Sequence, residues 1–262
     1  MIPEQDTRLP IAPPITRQQL GWEIVVVFAV SLGASALLAI ISLIGSLTAR
    51  KALGHQQALL VGSMAPGRPL LDLSLQLANI LVTLAPVALV FYLLARSGES
   101  PSDMGLDTTR PASDLARGAA LAAVIGGLGL GLYVTAFHLG VSLNVVAESL
   151  PPVWWRIPVL ILKGFQNGVL EEILVIGYLL RRLDQLGWTP AHAIILSAVL
   201  RGSYHLYQGL GGFLGNAAMG LVFGVLFRRW RRVTPFIVAH GLIDTVAFVG
   251  YAVLHGHVSW LP

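Results

Sequence analysis

"NGVLEEILVIGYLLRRL", residues 167–183, decides how the chain is read, because two adjacent acids, Glu171 and Glu172, interrupt a run that is otherwise almost entirely apolar. An ionisable side chain at the centre of a membrane helix costs about 2.5 to 3.5 kcal/mol on insertion scales, so such a pair needs a polar cavity or partner and marks a candidate site. Neighbouring positions on an α-helix point about 100° apart. One glutamate can therefore face a cavity while the other meets a neighbouring helix.

The solvent of that run follows from composition. The 262 residues are 55% hydrophobic and 11% charged, with a mean hydropathy of +0.74. Soluble domains carry about 25% charged residues, so the chain reads as an integral membrane protein. The net charge of +4 fits the setting of membrane topology better than nucleic-acid binding. With no cysteine, disulfides, thiolate metal sites and a cysteine nucleophile are excluded. The opening "MIPEQDTRLPIAPPITRQQ" is proline-rich and acid-containing, unlike a signal peptide, and residues 1–20 read as a disordered cytoplasmic tail.

Outward from residue 171, seven stretches approach the roughly 20 residues that a helix needs to cross the hydrocarbon. They lie at 21–48, 71–95, 115–140, 154–181, 190–207, 211–228 and 234–255. The expectation is an all-α polytopic membrane protein, a bundle of about seven (7–8) transmembrane helices forming one domain over 21–262. The six tryptophans, Trp22, Trp154, Trp155, Trp188, Trp230 and Trp260, fall at or near span ends, as interfacial side chains do. Arginines crowd every second connection: Arg96, Arg110 and Arg117, then Arg181 and Arg182, then Arg228, Arg229, Arg231 and Arg232. That pattern places the N-terminus in the cytoplasm and the C-terminus outside, with Arg50, Lys51 and Arg68 as exceptions. Short loops and a preference for Arg over Lys fit a bacterial inner membrane.

In this frame only Glu171, Glu172 and Asp244, among thirteen acids, lie well inside spans. Residues four apart share a helix face, which pairs Arg201 with His205, His240 with Asp244, and Asn167 with Glu171. Glu171, Glu172, His205, His240 and Asp244 thus come from three spans. Carboxylates and imidazoles brought together this way either hold a divalent metal or run metal-free acid–base chemistry on water. A metal set would be Glu171, His205, His240 and Asp244, with zinc the first candidate. Arg201 reads as the counter-ion of a buried carboxylate, Glu172 being the candidate. His138 and His192 read as helix–helix hydrogen-bonding groups, and His255 and His257 as interfacial.

"EEILVIGYLLRRL", "RGSYHLYQG" and "HGLID", in that order, resemble the three motifs of the CPBP intramembrane protease family of CAAX proteases and bacteriocin-processing enzymes, which includes the prenyl-protein endopeptidase of the Rce1 type. The resemblance covers about residues 150–255 and implies a hydrolase with a protease core there, acting on a membrane-associated or lipidated, CAAX-like peptide. It implies that Glu171 and His205 activate the attacking water with Glu172 in support. His240 and Asp244 would stabilise the oxyanion or complete a metal site. Two positions depart from the family pattern: Ile176 stands where an arginine commonly follows the glutamates, and Arg201 stands where an aromatic often leads the histidine motif. Either a cation from the neighbouring span replaces the missing one, or the two departures mark a branch that has lost or altered proteolysis.

Three function classes follow. The first is an intramembrane endopeptidase, a metallo- or glutamate-type protease. The second is a non-catalytic membrane scaffold or bacteriocin-immunity-type protein on the same fold, and the third a transporter or proton relay. With straight, upright helices, a rise of about 1.5 Å per residue leaves His205 toward the outer end of its span, away from Glu171 and His240. A shared site therefore requires tilt, an interfacial start at Pro190 or a funnel from the cytoplasm.

Overall fold

The computed structural model of the chain describes residues 15–258. The tail expected over 1–20 lies mostly outside the described residues, and helix α1 (Arg17–Ala29) already begins at Arg17. Its start is fixed by a capping box in which the Gln19 amide donates to Thr16 Oγ1 (3.2 Å) and the Thr16 amide to Gln19 Oε1 (2.9 Å). A 51° bend separates α1 from α2 (Leu32–Thr48). Ser31 leaves the helical conformation there, and a Cβ on Gly33 would sit 2.6 Å from the Phe28 carbonyl oxygen. Only glycine admits so sharp a turn at that point.

Strand β1 (Gln57–Gly62) leads to α3 (Pro69–Thr83) and α4 (Ala85–Arg96), which together make one candidate span of 28 residues. Helix α5 (Pro111–His138) follows, then β2 (Asn144–Ser149). Next comes an unbroken helical run: α6 (Arg156–Glu171), a π-helical stretch over Glu172–Leu179, and α7 (Leu180–Gln185). Helix α8 (Pro190–Ser203), α9 (Leu210–Trp230) and α10 (Thr234–Leu254) complete the chain.

The protein is an all-α membrane protein, with a small two-stranded sheet that the sequence reading did not foresee. Four helical segments are long and apolar enough to cross a bilayer, or five with the bent α1–α2 pair, against the seven stretches expected. The two others fall short for different reasons. Helix α8 has only 14 residues, about 21 Å of helix against a hydrocarbon core of about 30 Å. The run from Arg156 carries Lys163, Glu171, Glu172, Arg181, Arg182 and Asp184, so charge rather than length disqualifies it.

The connections nonetheless alternate between two ends of the bundle. At one end β1 pairs in parallel with β2, Gln57 against Asn144 through Gly62 against Ser149, and the Leu143 amide donates to the Gln208 carbonyl (3.1 Å). At the other, the Val233 amide donates to the Met104 carbonyl (3.0 Å), and Arg232 is clamped by Asp107 and Asp114. Each of the three loops expected outside meets another at the first end, and the loops expected inside gather at the second.

Packing is tightest between α6 and α10. A Cβ on Gly168 would lie 2.8 Å from both the Gly241 amide nitrogen and the Ile237 carbonyl oxygen, so small residues let the two backbones touch, as membrane helices require. That contact sets the α6 glutamates beside the α10 histidine. Many large apolar side chains on the bundle exterior stay exposed, Leu38, Val124 and Leu128 among them, which suits a lipid solvent. Of the tryptophans, Trp22, Trp154 and Trp188 are exposed, but Trp155 is buried against Val159, Leu160 and Tyr251 rather than interfacial. Trp260 lies outside the described residues.

Candidate active site

The glutamate pair sits where α6 passes into the π-helical stretch, a geometry that recurs at functional sites. Its two members have different surroundings. Glu172 is fully buried; its Oε1 accepts from the Arg201 guanidinium and from His240 Nδ1 (2.7 Å). Glu171 accepts a hydrogen bond on Oε2 from the Tyr204 hydroxyl (2.7 Å), while Arg201 Nη1 and His240 Nδ1 stand at 3.9 and 4.0 Å from the same oxygen. Arg201 is thus the counter-ion of Glu172, as expected, and its guanidinium also lies 5.5 Å from the Phe223 ring centroid. Ile176 is fully buried in the apolar core. The cation beside the glutamates therefore arrives from α8.

The short α8 resolves the depth conflict. It ends at Ser203, so Arg201 and His205 do not share a helix face; His205 sits in the following turn, its backbone amide donating to the Gly202 carbonyl (3.0 Å). The Tyr204 ring, bonded to Glu171, is 4.8 Å from that of His205. His205 Nδ1 is 3.0 Å from the Arg201 carbonyl oxygen. A carbonyl only accepts, so Nδ1 carries the proton and Nε2 of the neutral ring keeps its lone pair.

His240, on α10, stands between two carboxylates: Nδ1 meets Glu172, and Nε2 is 3.7 Å from Asp244 Oδ2. Asp244 Oδ2 in turn accepts from Asn167 Nδ2 (2.8 Å). Exposure divides the cluster. The Glu172 and Arg201 side chains are 0% exposed, whereas Glu171 and Asp244 keep 10% and 20%.

All seven predicted site residues thus belong to one connected cluster. Tyr204 was missed, although its place between Arg201 and His205 in "RGSYH" was the available signal. His138 and His192 do not bridge helices: His138 Nδ1 meets the Val134 carbonyl of its own helix (2.8 Å), and His192 meets the capping hydroxyl of Thr189 (2.7 Å).

Residues 152–246 match the family model described as Type II CAAX prenyl endopeptidase Rce1-like. Over that segment the chain is similar to the Rce1-like family of prenyl endopeptidases. No curated protein and no solved structure matches the chain. The Rce1-like segment runs from β2's exit to the middle of α10 and contains every residue of the cluster, while α1 to α5 lie outside it.

Among the described residues no three His, Asp or Glu side chains are placed to hold one ion. His240 Nδ1 is taken up by Glu172, and its Nε2 stands 3.7 Å from Asp244. What the arrangement offers is a carboxylate that keeps a small exposed edge, an imidazole with a free lone pair, and a second imidazole framed by acids.

Proposed function

We propose that the protein is an intramembrane endopeptidase that hydrolyses a peptide bond in a membrane-associated, lipidated, CAAX-like substrate, using water activated by Glu171 and His205. Glu171 Oε2 is held by Tyr204, which leaves Oε1 to take a proton from water while His205 Nε2 accepts from the second O–H. The oxygen adds to the scissile carbonyl carbon, and the carbonyl π electrons move to its oxygen. That oxyanion needs a preorganised donor. His240 supplies it: with Nδ1–H donated to Glu172 and a second proton on Nε2 beside Asp244, the ring is a cation whose Nε2–H is not committed at 3.7 Å. Asp244 acts by balancing that charge, since an ionised carboxylate cannot itself donate. The C–N bond then breaks as Glu171 passes its proton to the leaving nitrogen.

The carrying observation is the uneven burial of the cluster. A scaffold or immunity-type protein needs only the sealed part, Glu172 with Arg201 and His240, to hold helices together. It gives no reason for Glu171 and Asp244 to keep 10% and 20% exposure inside an otherwise apolar bundle. We place the arginine-rich end, with Arg181, Arg182, Arg228, Arg229, Arg231 and Arg232, in the cytoplasm of a bacterial inner membrane.

The test uses purified protein with a labelled lipidated-peptide library. Glu171→Ala and His205→Ala are each expected to lower turnover about 100-fold or more, the usual contribution of general acid–base groups. Turnover is expected to withstand a chelator. Hydrolysis that survives both substitutions ends this assignment.

A further inference from the structure

Lys163 has no part in the chemistry above and, among the described residues, no acidic partner. It lies seven residues into α6, is only 9% exposed, and among the described residues its one polar partner is the Asn79 side chain on α3. A lysine in a membrane span is costly and ordinarily finds an acid or snorkels to the interface. The other intramembrane cation, Arg201, has its carboxylate. The acids on the neighbouring helices α3 and α10 are engaged elsewhere: Asp72 with Ser63 Oγ (2.6 Å), the Met64 amide (3.0 Å) and Gln76 Nε2 (3.2 Å), and Asp244 with Asn167 (2.8 Å).

The contact with Asn79 fixes more than it first shows. An ammonium only donates, so Asn79 must present Oδ1 to it. The Asn79 amide nitrogen then carries no hydrogen bond among the described residues. Lys163 keeps two further N–H donors and Asn79 two, side by side on α6 and α3. A planar monoanion with two acceptor oxygens matches that set.

The position along α6 says which monoanion. Lys163, Asn167 and Glu171 recur every four residues, within an arc of about 80° on one side of the helix, and Lys163 is about 12 Å along the axis from Glu171. An extended peptide covers about 3.3 to 3.6 Å per residue, so three or four residues bridge that interval. We infer that Lys163 and Asn79 form a clamp for the free C-terminal carboxylate of the substrate, which sets the scissile bond over Glu171 at a fixed distance from the chain end. This rests on the peptidase reading above and names the feature of the substrate that the site measures.

Two S-farnesyl-cysteine peptides, identical except for a C-terminal acid or amide and bearing an N-terminal dansyl group, test the clamp in nanodisc-embedded full-length protein. Binding is read with Glu171→Gln, and KM and kcat with the otherwise unaltered chain. The acid is expected to bind at least tenfold more tightly than the amide, by the strength of hydrogen bonds to a charged group. Lys163→Met added to Glu171→Gln should abolish that preference, and Lys163→Arg should retain part of it. A merely structural lysine would weaken both peptides alike and leave their ratio intact. Equal binding of acid and amide, or a preference that survives Lys163→Met, overturns the clamp. Equal hydrolysis of both peptides refutes the clamp and leaves the peptidase standing; an acid preference in binding without any hydrolysis does the reverse.

Discussion

At the scale of single residues, the like-charged pair at 171 and 172 is tolerated because its members do different work. Glu172 is bound from two sides, by Arg201 and by His240, and removing one partner of a buried ion pair typically costs about 3–5 kcal/mol because the other charge is stranded. Glu172→Gln is therefore expected to lower the thermal midpoint sharply. Glu172→Leu with Arg201→Leu should be less destabilised than Glu172→Gln alone, because the double change removes both members of the ion pair and leaves Asp244 beside His240. Equal, mild losses in both would show that the pair is not coupled. The cost of an unpaired intramembrane arginine made Arg201 legible as a counter-ion with Glu172 as its candidate partner, and α8 lying against the glutamates forms that pair. Tyr204 was not singled out: an aromatic next to a histidine is unremarkable until its hydroxyl is found on Glu171.

At the scale of elements, close approach decides the site. Gly168 and Gly241 bring α6 and α10 into backbone contact, and the reach from Glu172 to His240 depends on that approach. Gly168→Val would drive a branched side chain into the Gly241 nitrogen and Ile237 carbonyl. Overpacking of this kind costs about 1–3 kcal/mol, and the shift should lower peptidase turnover as well as the thermal midpoint. A variant that keeps both would show that the contact is slack. Helix α8 shows where periodicity fails. The apolar stretch 190–207 has span-like composition, yet the helix stops at Ser203 and the turn that follows carries His205. The signal of hydropathy does not distinguish a full crossing from a helix that ends inside the bundle, since both are apolar.

At the scale of the whole molecule, the two ends are held by different means. The β1–β2 pair and the Glu148–Arg156 ion pair close one end. At the other, Arg232 donates to Asp107 and Asp114 from its Nη2, at 3.0 and 2.6 Å. Asp107 lies in the α4–α5 connection, outside the spans, and the Arg232 guanidinium, with help from Thr109, holds its carboxyl well below the ordinary range. A carboxyl depressed by folding contributes stability that is present above its unfolded value of about 3.9 and is lost as the pH falls through the lower folded value. Acidification below about pH 4 should therefore lower the thermal midpoint of the protein. Asp107→Asn, already missing this contribution at neutral pH, should show a flatter acid limb. Parallel acid limbs would assign the loss to other carboxylates.

What the sequence determined by itself was the solvent, the helical class, the alternation of the chain between two faces and the short roster of ionisable groups inside the bundle. Each of these is a local or compositional property, governed by the cost of placing a charge or an unpaired amide in hydrocarbon. Only the tertiary structure decided that His205 lies in a turn beside the Tyr204 ring that is bonded to Glu171, that His240 sits between Glu172 and Asp244, that the loops at 57–62 and 144–149 pair as strands, and that Lys163 is left with an amide instead of an acid. Those are contacts between segments far apart in the chain. Their geometry depends on how closely helices pack and where they end, which no count of residues along the sequence contains.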